Sequence, residues 1–177
     1  MQTLLISAIF VAMTKDFYDL DDAGKQLADI LVDAPVAVIA LIGQGAEIAC
    51  QIATKFSVPV IPALLHRDTE SNEIIDIEIT DCAFTGMMYV ADDAIETGHT
   101  TRKAARYLAQ KGYTNLRFVT PLCPRTTAAD LLPLIGEVIA VQRPLIHRSL
   151  AWHYEIPPNA SPAAALALIE RFNANRP

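Results

Sequence analysis

The stretch Met87-Met88-Tyr89-Val90-Ala91-Asp92-Asp93-Ala94-Ile95-Glu96-Thr97-Gly98-His99-Thr100 constrains this chain more than any other. An apolar run that ends in two adjacent carboxylates reads as a central strand of a parallel sheet, buried on both faces. A short loop with one glycine follows, and then a helix opens on hydroxyl side chains. The backbone N–H groups of Thr97 to Thr100 have no helical partner there. Gly98 lets a ligand approach, and Thr97, Thr100 and Thr101 add hydroxyl donors, which together make an anion site suited to phosphate. Asp92 and Asp93, at the strand's end, can accept hydrogen bonds from two sugar hydroxyls or help to hold a hydrated Mg²⁺. A phosphate site beside a diol site describes a ribose 5-phosphate. The plainer alternative is a strand–turn–helix with an acidic turn, in which Thr97 or His99 only caps the helix.

The chain has 177 residues, 52% of them hydrophobic and 19% charged, which predicts one globular domain spanning residues 1–177. A net charge of −6 with no basic cluster excludes nucleic acid as the main partner. An anionic substrate must then find its positive field locally, from helix N-termini or Mg²⁺. Cys50, Cys82 and Cys123 show no metal-ligand spacing and read as buried thiols in a reducing compartment. Leu4 to Met13 is apolar, but it lacks a basic start and is shorter than the roughly 20 residues of a membrane span. It is expected to be a strand or a buried helix, the type left open, in a cytoplasmic protein without a membrane partner.

Strands and helices alternate along the chain. A helix capped by Asp21 or Asp22 is predicted to run to about Val32, and Pro35 to Ile42 is a buried strand broken by Gly43-Gln44-Gly45. Ala46 to Phe56 has helical spacing. Val58 to Leu65 is a strand whose pairing Pro59 and Pro62 limit, and Ile74 to Thr80 alternates like an antiparallel or edge strand. After the acidic strand come a helix from His99 to Lys111 stopped by Gly112 and a strand from Asn115 to Thr120. A short helix capped by Thr126 or Thr127 then runs through Leu132, followed by a core strand from Glu137 to Val141. Ser161-Pro162 opens the last helix, Ala163 to Phe172. The order predicts an α/β fold with an open, mostly parallel, doubly wound sheet.

The Asp92 to Thr100 segment resembles the phosphoribosyl-pyrophosphate motif of the type I phosphoribosyltransferases: apolar residues, two acids, a short loop and Thr-Gly-x-Thr. Tyr89 among the apolar positions and Glu96 in the loop depart mildly from it. The order of Asp21-x-Ala23-Gly24, the glycine loop, the acidic motif, Val119-Thr120-Pro121-Leu122-Cys123-Pro124 and Trp152-His153-Tyr154 looks like one group of predicted phosphoribosyltransferases of unassigned substrate. The resemblance implies that family's fold with a small hood, Mg²⁺ as cofactor, and transfer of ribose 5-phosphate from phosphoribosyl pyrophosphate to a nucleobase or similar nitrogen acceptor. It makes Asp92 and Asp93 catalytic and, through water, metal-binding. Thr97, Gly98, His99, Thr100 and Thr101 become the phosphate site, and Gly43, Gln44 and Gly45 the pyrophosphate loop.

Two departures keep a second reading open. The group commonly has Pro-Arg-Gly-Gly where this chain reads Ile42-Gly43-Gln44-Gly45, so an arginine that would balance pyrophosphate is missing. Arg67 and Arg125 are candidate substitutes. Only roughly twenty residues separate Arg67 from Met87, so the lid that closes over the reacting centre in this family is expected to be short or absent. Both features suit a non-catalytic regulator that binds a nucleotide or phosphoribosyl pyrophosphate. Trp152 and Tyr154 are candidate stacking surfaces for a base or, alternatively, parts of a capping flap or dimer contact. Ile74 to Ile79 offers an edge through which a homodimer could pair.

Overall fold

A computed structural model describes residues 15–71, 73–80, 84–145 and 148–176. The expectations for Leu4 to Met13 and Cys82 lie outside the described residues. Six strands form one sheet in the order β3-β2-β1-β4-β5-β6. They are β1 (Ala37–Leu41), β2 (Val60–Arg67), β3 (Ile74–Ile79), β4 (Met88–Ala91), β5 (Leu116–Leu122) and β6 (Val138–Gln142). All neighbours run parallel except β2 and β3. The helices are α1 (Leu20–Ile30), α2 (Gly45–Phe56), α3 (His99–Gln110), α4 (Arg125–Ile135) and α5 (Pro162–Ala174). No helix among the described residues is long and apolar enough to cross a membrane.

Both faces of the sheet are covered, which is why β1 and β4 are apolar without interruption. Val38, Ala40, Tyr89 and Ala91 pack with Leu27, Ile48 and Ile52 of α1 and α2 and with Ile169 of α5. Ala37, Ile39, Leu41 and Val90 face the other way, with Ala104 and Leu108 of α3. A third cluster of Ile95, Cys123, Leu131 and Val138 seats α4. Tyr89 fits the apolar row because its buried hydroxyl donates to the Asp33 carbonyl at 2.8 Å. Cys50 and Cys123 are buried free thiols, as expected, and burial pushes the Cys50 thiol up to about 12.

Several local expectations are corrected. Asp19, not Asp21 or Asp22, caps α1: its Oδ1 accepts from the Asp22 N–H at 2.9 Å, while Asp22 Oδ2 accepts from the Tyr18 N–H at 2.9 Å. This is a reciprocal arrangement close to a capping box. The expected limit on the pairing of β2 is seen at Pro62, which lies opposite Ala40 of β1, while the antiparallel ladder to β3 begins one residue later, at Ala63. Its missing donor therefore costs no bond to β3. Neither Thr126 nor Thr127 caps α4, which starts at Arg125 and runs past Leu132, through Pro133. Strand β6 is a half-buried edge with only Val138 fully buried. Strand β3 is the predicted antiparallel edge, with Ile75 exposed. Ser161 caps α5 as expected, accepting from the Ala164 N–H at 3.2 Å.

The chain beyond β6 returns over the carboxyl ends of the strands. A 3₁₀ turn (Leu150–Trp152) leads to Tyr154, whose ring lies 5.1 Å from that of Phe17. The Phe17 N–H donates to the His153 carbonyl and the Glu155 N–H to the Phe17 carbonyl, both at 3.0 Å. Asp16 Oδ2 and His153 Nδ1, 2.5 Å apart, close this small hood.

Helix α1 ends without a glycine cap. Lys55 of α2 replaces one: its Nζ donates to the carbonyls of Ala28 at 2.7 Å, Asp29 at 3.3 Å and Leu31 at 2.8 Å. A cation at a helix C-terminus that also satisfies orphan carbonyls stabilises by about 1 kcal/mol or more. Lys55→Met should lower the urea midpoint correspondingly and leave the slope of the transition unchanged.

Candidate functional site

Strand β1 sends its connection to one side and β4 sends its own to the other, so the crevice between their carboxyl ends is the topological switch point of the sheet. Two loops meet there. The first is residues 42–44, entering α2, and the second is residues 92–98, entering α3. They are close enough that Gly45 has no room for a side chain: a Cβ would stand 2.8 Å from the Ala91 carbonyl oxygen and 3.2 Å from Asp92 Cα.

The second loop is held from below. The Asp92 N–H donates to the Val119 carbonyl at 3.3 Å and the Ile95 N–H to that of Leu122 at 2.8 Å, and Ile95 is buried. Gly98 has φ 73° and sits on Leu131, which a Cβ would meet at 3.1 Å. The left-handed conformation favours glycine, and a side chain here would press on the Leu131 tip. None of the N–H groups from Thr97 to Thr101 finds an acceptor among the described residues, and no side chain caps α3. A cleft of about 210 Å³ opens over them, lined by residues 92 to 101 and by Leu150 of the hood. The structure thus brings Asp92, Asp93, Thr97, Gly98, His99, Thr100 and Thr101 to one cavity.

The remaining candidates separate. Gly43 and Gly45 lie on the adjacent loop, but the Gln44 side chain is occupied: its Nε2 donates to the Ala160 carbonyl at 3.3 Å and its Oε1 accepts the Ala160 N–H at 2.8 Å. Arg67, at the end of β2, is near enough for its charge to favour the ionised Asp92. Arg125 points elsewhere: its Nε donates to the Arg143 carbonyl at 3.3 Å, in a hollow with Glu137 and Val138. Trp152 lines a separate hollow with Asp16 and Gln142, where the Arg148 guanidinium covers its ring at 3.7 Å. Tyr154 cannot stack on a base, because it is fully buried; instead its hydroxyl reaches the Asp93 carbonyl at 3.4 Å and props the acidic turn. The described residues between β2 and β3 form a tight turn. There Asp68 Oδ1 accepts from the Ser71 N–H at 2.8 Å and the Glu70 N–H at 3.1 Å.

Burial is the first cause that raises both acidic carboxyls. Asp92 is raised well above the ordinary range, with the charge of Asp93 adding to the effect, and Asp93 is raised with Glu96 contributing. Two half-buried carboxylates side by side resist ionising together. A divalent cation or a developing positive charge in the cleft would relieve them. The described residues hold no cluster of three or more metal-binding side chains. This donor set fits an ion such as Mg²⁺, held largely by water and substrate oxygens, and not one caged by protein.

A carboxyl raised in the folded state contributes stability fully at pH below its ordinary value, and this is lost as pH rises through the raised value. Asp92→Asn should therefore raise the melting temperature of the ligand-free protein at pH 7, by about 2–4 °C for each kcal/mol relieved. The gain should shrink towards pH 3. Gly45→Ala should act oppositely, destabilising by about 1–3 kcal/mol because the backbone it meets cannot yield; thermal melting across pH measures the first effect and chemical denaturation the second.

No family model and no curated protein matches the sequence. Solved structures do match the fold. TT1426 from Thermus thermophilus aligns with a TM-score of 0.71 at 15% identity, covering 88% of this chain and 98% of that one. APRTase from Giardia lamblia, complexed with 9-deazaadenine, aligns at 0.61 and 16% identity over 72% and 80% of the two chains. A purine phosphoribosyltransferase from Pyrococcus horikoshii aligns at 0.60 and 17% identity over 80% and 93%. With the strand order, the switch-point crevice and the acidic turn, these likenesses establish that the chain has the fold of the type I phosphoribosyltransferases.

Proposed function

We propose that this protein transfers ribose 5-phosphate from phosphoribosyl pyrophosphate to a nucleobase or a similar nitrogen nucleophile. One observation carries the reading: a half-buried acidic pair and a run of amides without an acceptor among the described residues share one cleft at the switch point. The amides of residues 97 to 101 would bind the 5-phosphate. Asp92 and Asp93 would accept hydrogen bonds from the ribose hydroxyls. As the bond from the sugar's C1 to pyrophosphate breaks, their charge would stabilise the cation developing on the ring. Bound Mg²⁺, held through water by the same pair, would supply neutralisation of the leaving pyrophosphate. The backbone of Gly43 and Gly45 would lie beside that pyrophosphate, with Arg67 as the nearby cation in place of a loop arginine.

The second reading, a non-catalytic binder of a nucleotide or phosphoribosyl pyrophosphate, is favoured by one specific feature. The first loop's only long polar side chain, Gln44, is committed to Ala160. Calorimetry with phosphoribosyl pyrophosphate and Mg²⁺ should show binding that Asp92→Asn with Asp93→Asn weakens by tenfold or more. Pyrophosphate release over a panel of bases separates the two readings: turnover with one base supports the transferase, and binding without turnover on every base supports the regulator. Absence of binding by phosphoribosyl pyrophosphate and by every nucleoside monophosphate would sink both.

A further inference from the structure

Three successive carbonyls in the second loop are each pinned by a named donor. The Glu96 carbonyl accepts from Thr127 Oγ1 at 2.6 Å, across from α4. The Thr97 carbonyl accepts from Arg102 Nη1 at 2.9 Å. The Gly98 carbonyl accepts from the Arg102 N–H, also at 2.9 Å, in the first turn of α3. In a trans peptide the C=O and the following N–H point in opposite directions, and no cis bond occurs among the described residues. Fixing the carbonyls of residues 96, 97 and 98 therefore fixes the N–H groups of Thr97, Gly98 and His99.

Thr127 is the member of this set that belongs to neither the loop nor its helix. It is buried at 8% exposure and does not line the cleft. One turn further along α4, Leu131 fills the space beneath Gly98. Helix α4 thus presents a hydroxyl to one peptide of the loop and an apolar cushion to the next. Without the hydroxyl, the Glu96–Thr97 peptide would lose the bond that sets its plane, and its carbonyl would be free to turn towards the anion.

We infer that Thr127 is a positioning residue for the anion site: by holding the Glu96 carbonyl against α4, it aims the Thr97 N–H into the cleft. The inference rests on the reading of the 97–100 turn as the phosphate site. An N–H donated to an anion is a charge-assisted hydrogen bond, and misdirecting it should weaken binding roughly tenfold or more.

The test is a titration of the ¹⁵N-labelled full chain with ribose 5-phosphate, followed by amide shifts, for the native sequence, Thr127→Val and Thr127→Ser, with melting temperatures alongside. Val keeps the branched shape and removes the donor, whereas Ser keeps the donor. The expected result is that the Thr97, Gly98 and His99 amides move in the native protein. Thr127→Val should bind roughly tenfold more weakly and lose the Thr97 response, and Thr127→Ser should restore both. If Thr127→Val folds and binds like the native protein while the native Thr97 amide moves, the positioning role is overturned and the phosphate site stands. If the native amides of 97 to 99 do not move at saturation, the phosphate site itself fails and the inference falls with it. Should Thr127→Val not fold, the native titration and the Ser variant decide: a Thr97 amide that stays still while its neighbours move overturns the role, and a shifted amide retained in Thr127→Ser supports it.

Discussion

The approach of Gly45 to the end of β4 governs the site. With a space of 2.8 Å between a hypothetical Cβ and the Ala91 carbonyl oxygen, no other residue lets α2 start where it does. That contact sets the first loop against the acidic turn and makes the crevice between β1 and β4 a shared one. The parallel pairing of Ala37 to Ala40 with Met88 to Ala91 brings both strands to the same level, so both loops begin at the same height above the sheet. A shift in this register would move the amides of α3 away from the first loop without changing either motif.

The charge arrangement follows from that geometry. The protein carries an excess of acid, and the cleft concentrates it in Asp92, Asp93 and Glu96. The positive end of α3 and its amides, which find no acceptor among the described residues, face the same space, so an anion entering it would meet its positive field there. Burial raises both carboxyls, so the ionised pair is poorly solvated inside the fold. Such burial is common where a ligand completes the charge balance. The hood takes part as well. Leu150 lines the cleft, and Tyr154 joins the Asp93 carbonyl to the packed Phe17 segment, so tail and acidic turn are mechanically connected.

Local rules succeeded where one interaction dominates. Ser161 followed by Pro162 opens α5, Gly112 ends the turn after α3 at φ 90°, and the alternating isoleucines of β3 lie on an edge. They failed where two partners compete for one group. Asp22 had the look of a cap but turns back to Tyr18, leaving Asp19 to close the helix. Thr127 carried the usual signal of an N-cap, yet its hydroxyl goes to Glu96, 31 positions earlier. Tyr154 was open to two readings, a stacking surface or part of a capping flap or dimer contact, and its burial against Phe17 rules out stacking and leaves it in the hood. Gln44, adjacent to two glycines, gave no sign that Ala160 would take both ends of its amide.

The linear order of residues determined the alternation of strands and helices, the doubly apolar strands and the acidic turn with its glycine, because each depends on periodicity or on backbone preferences within a few positions. Tertiary structure decided which candidates share a cavity. Asp92 through Thr101 converge, Arg67 lies near enough to act on Asp92, Arg125 and Trp152 are directed elsewhere, and Tyr154 is buried with its hydroxyl on the Asp93 carbonyl. The reason is that strand order and long-range side-chain bonds are set by packing between segments far apart in the chain. No short-range pattern encodes which carbonyl, 31 or 116 positions away, a threonine or glutamine will bind.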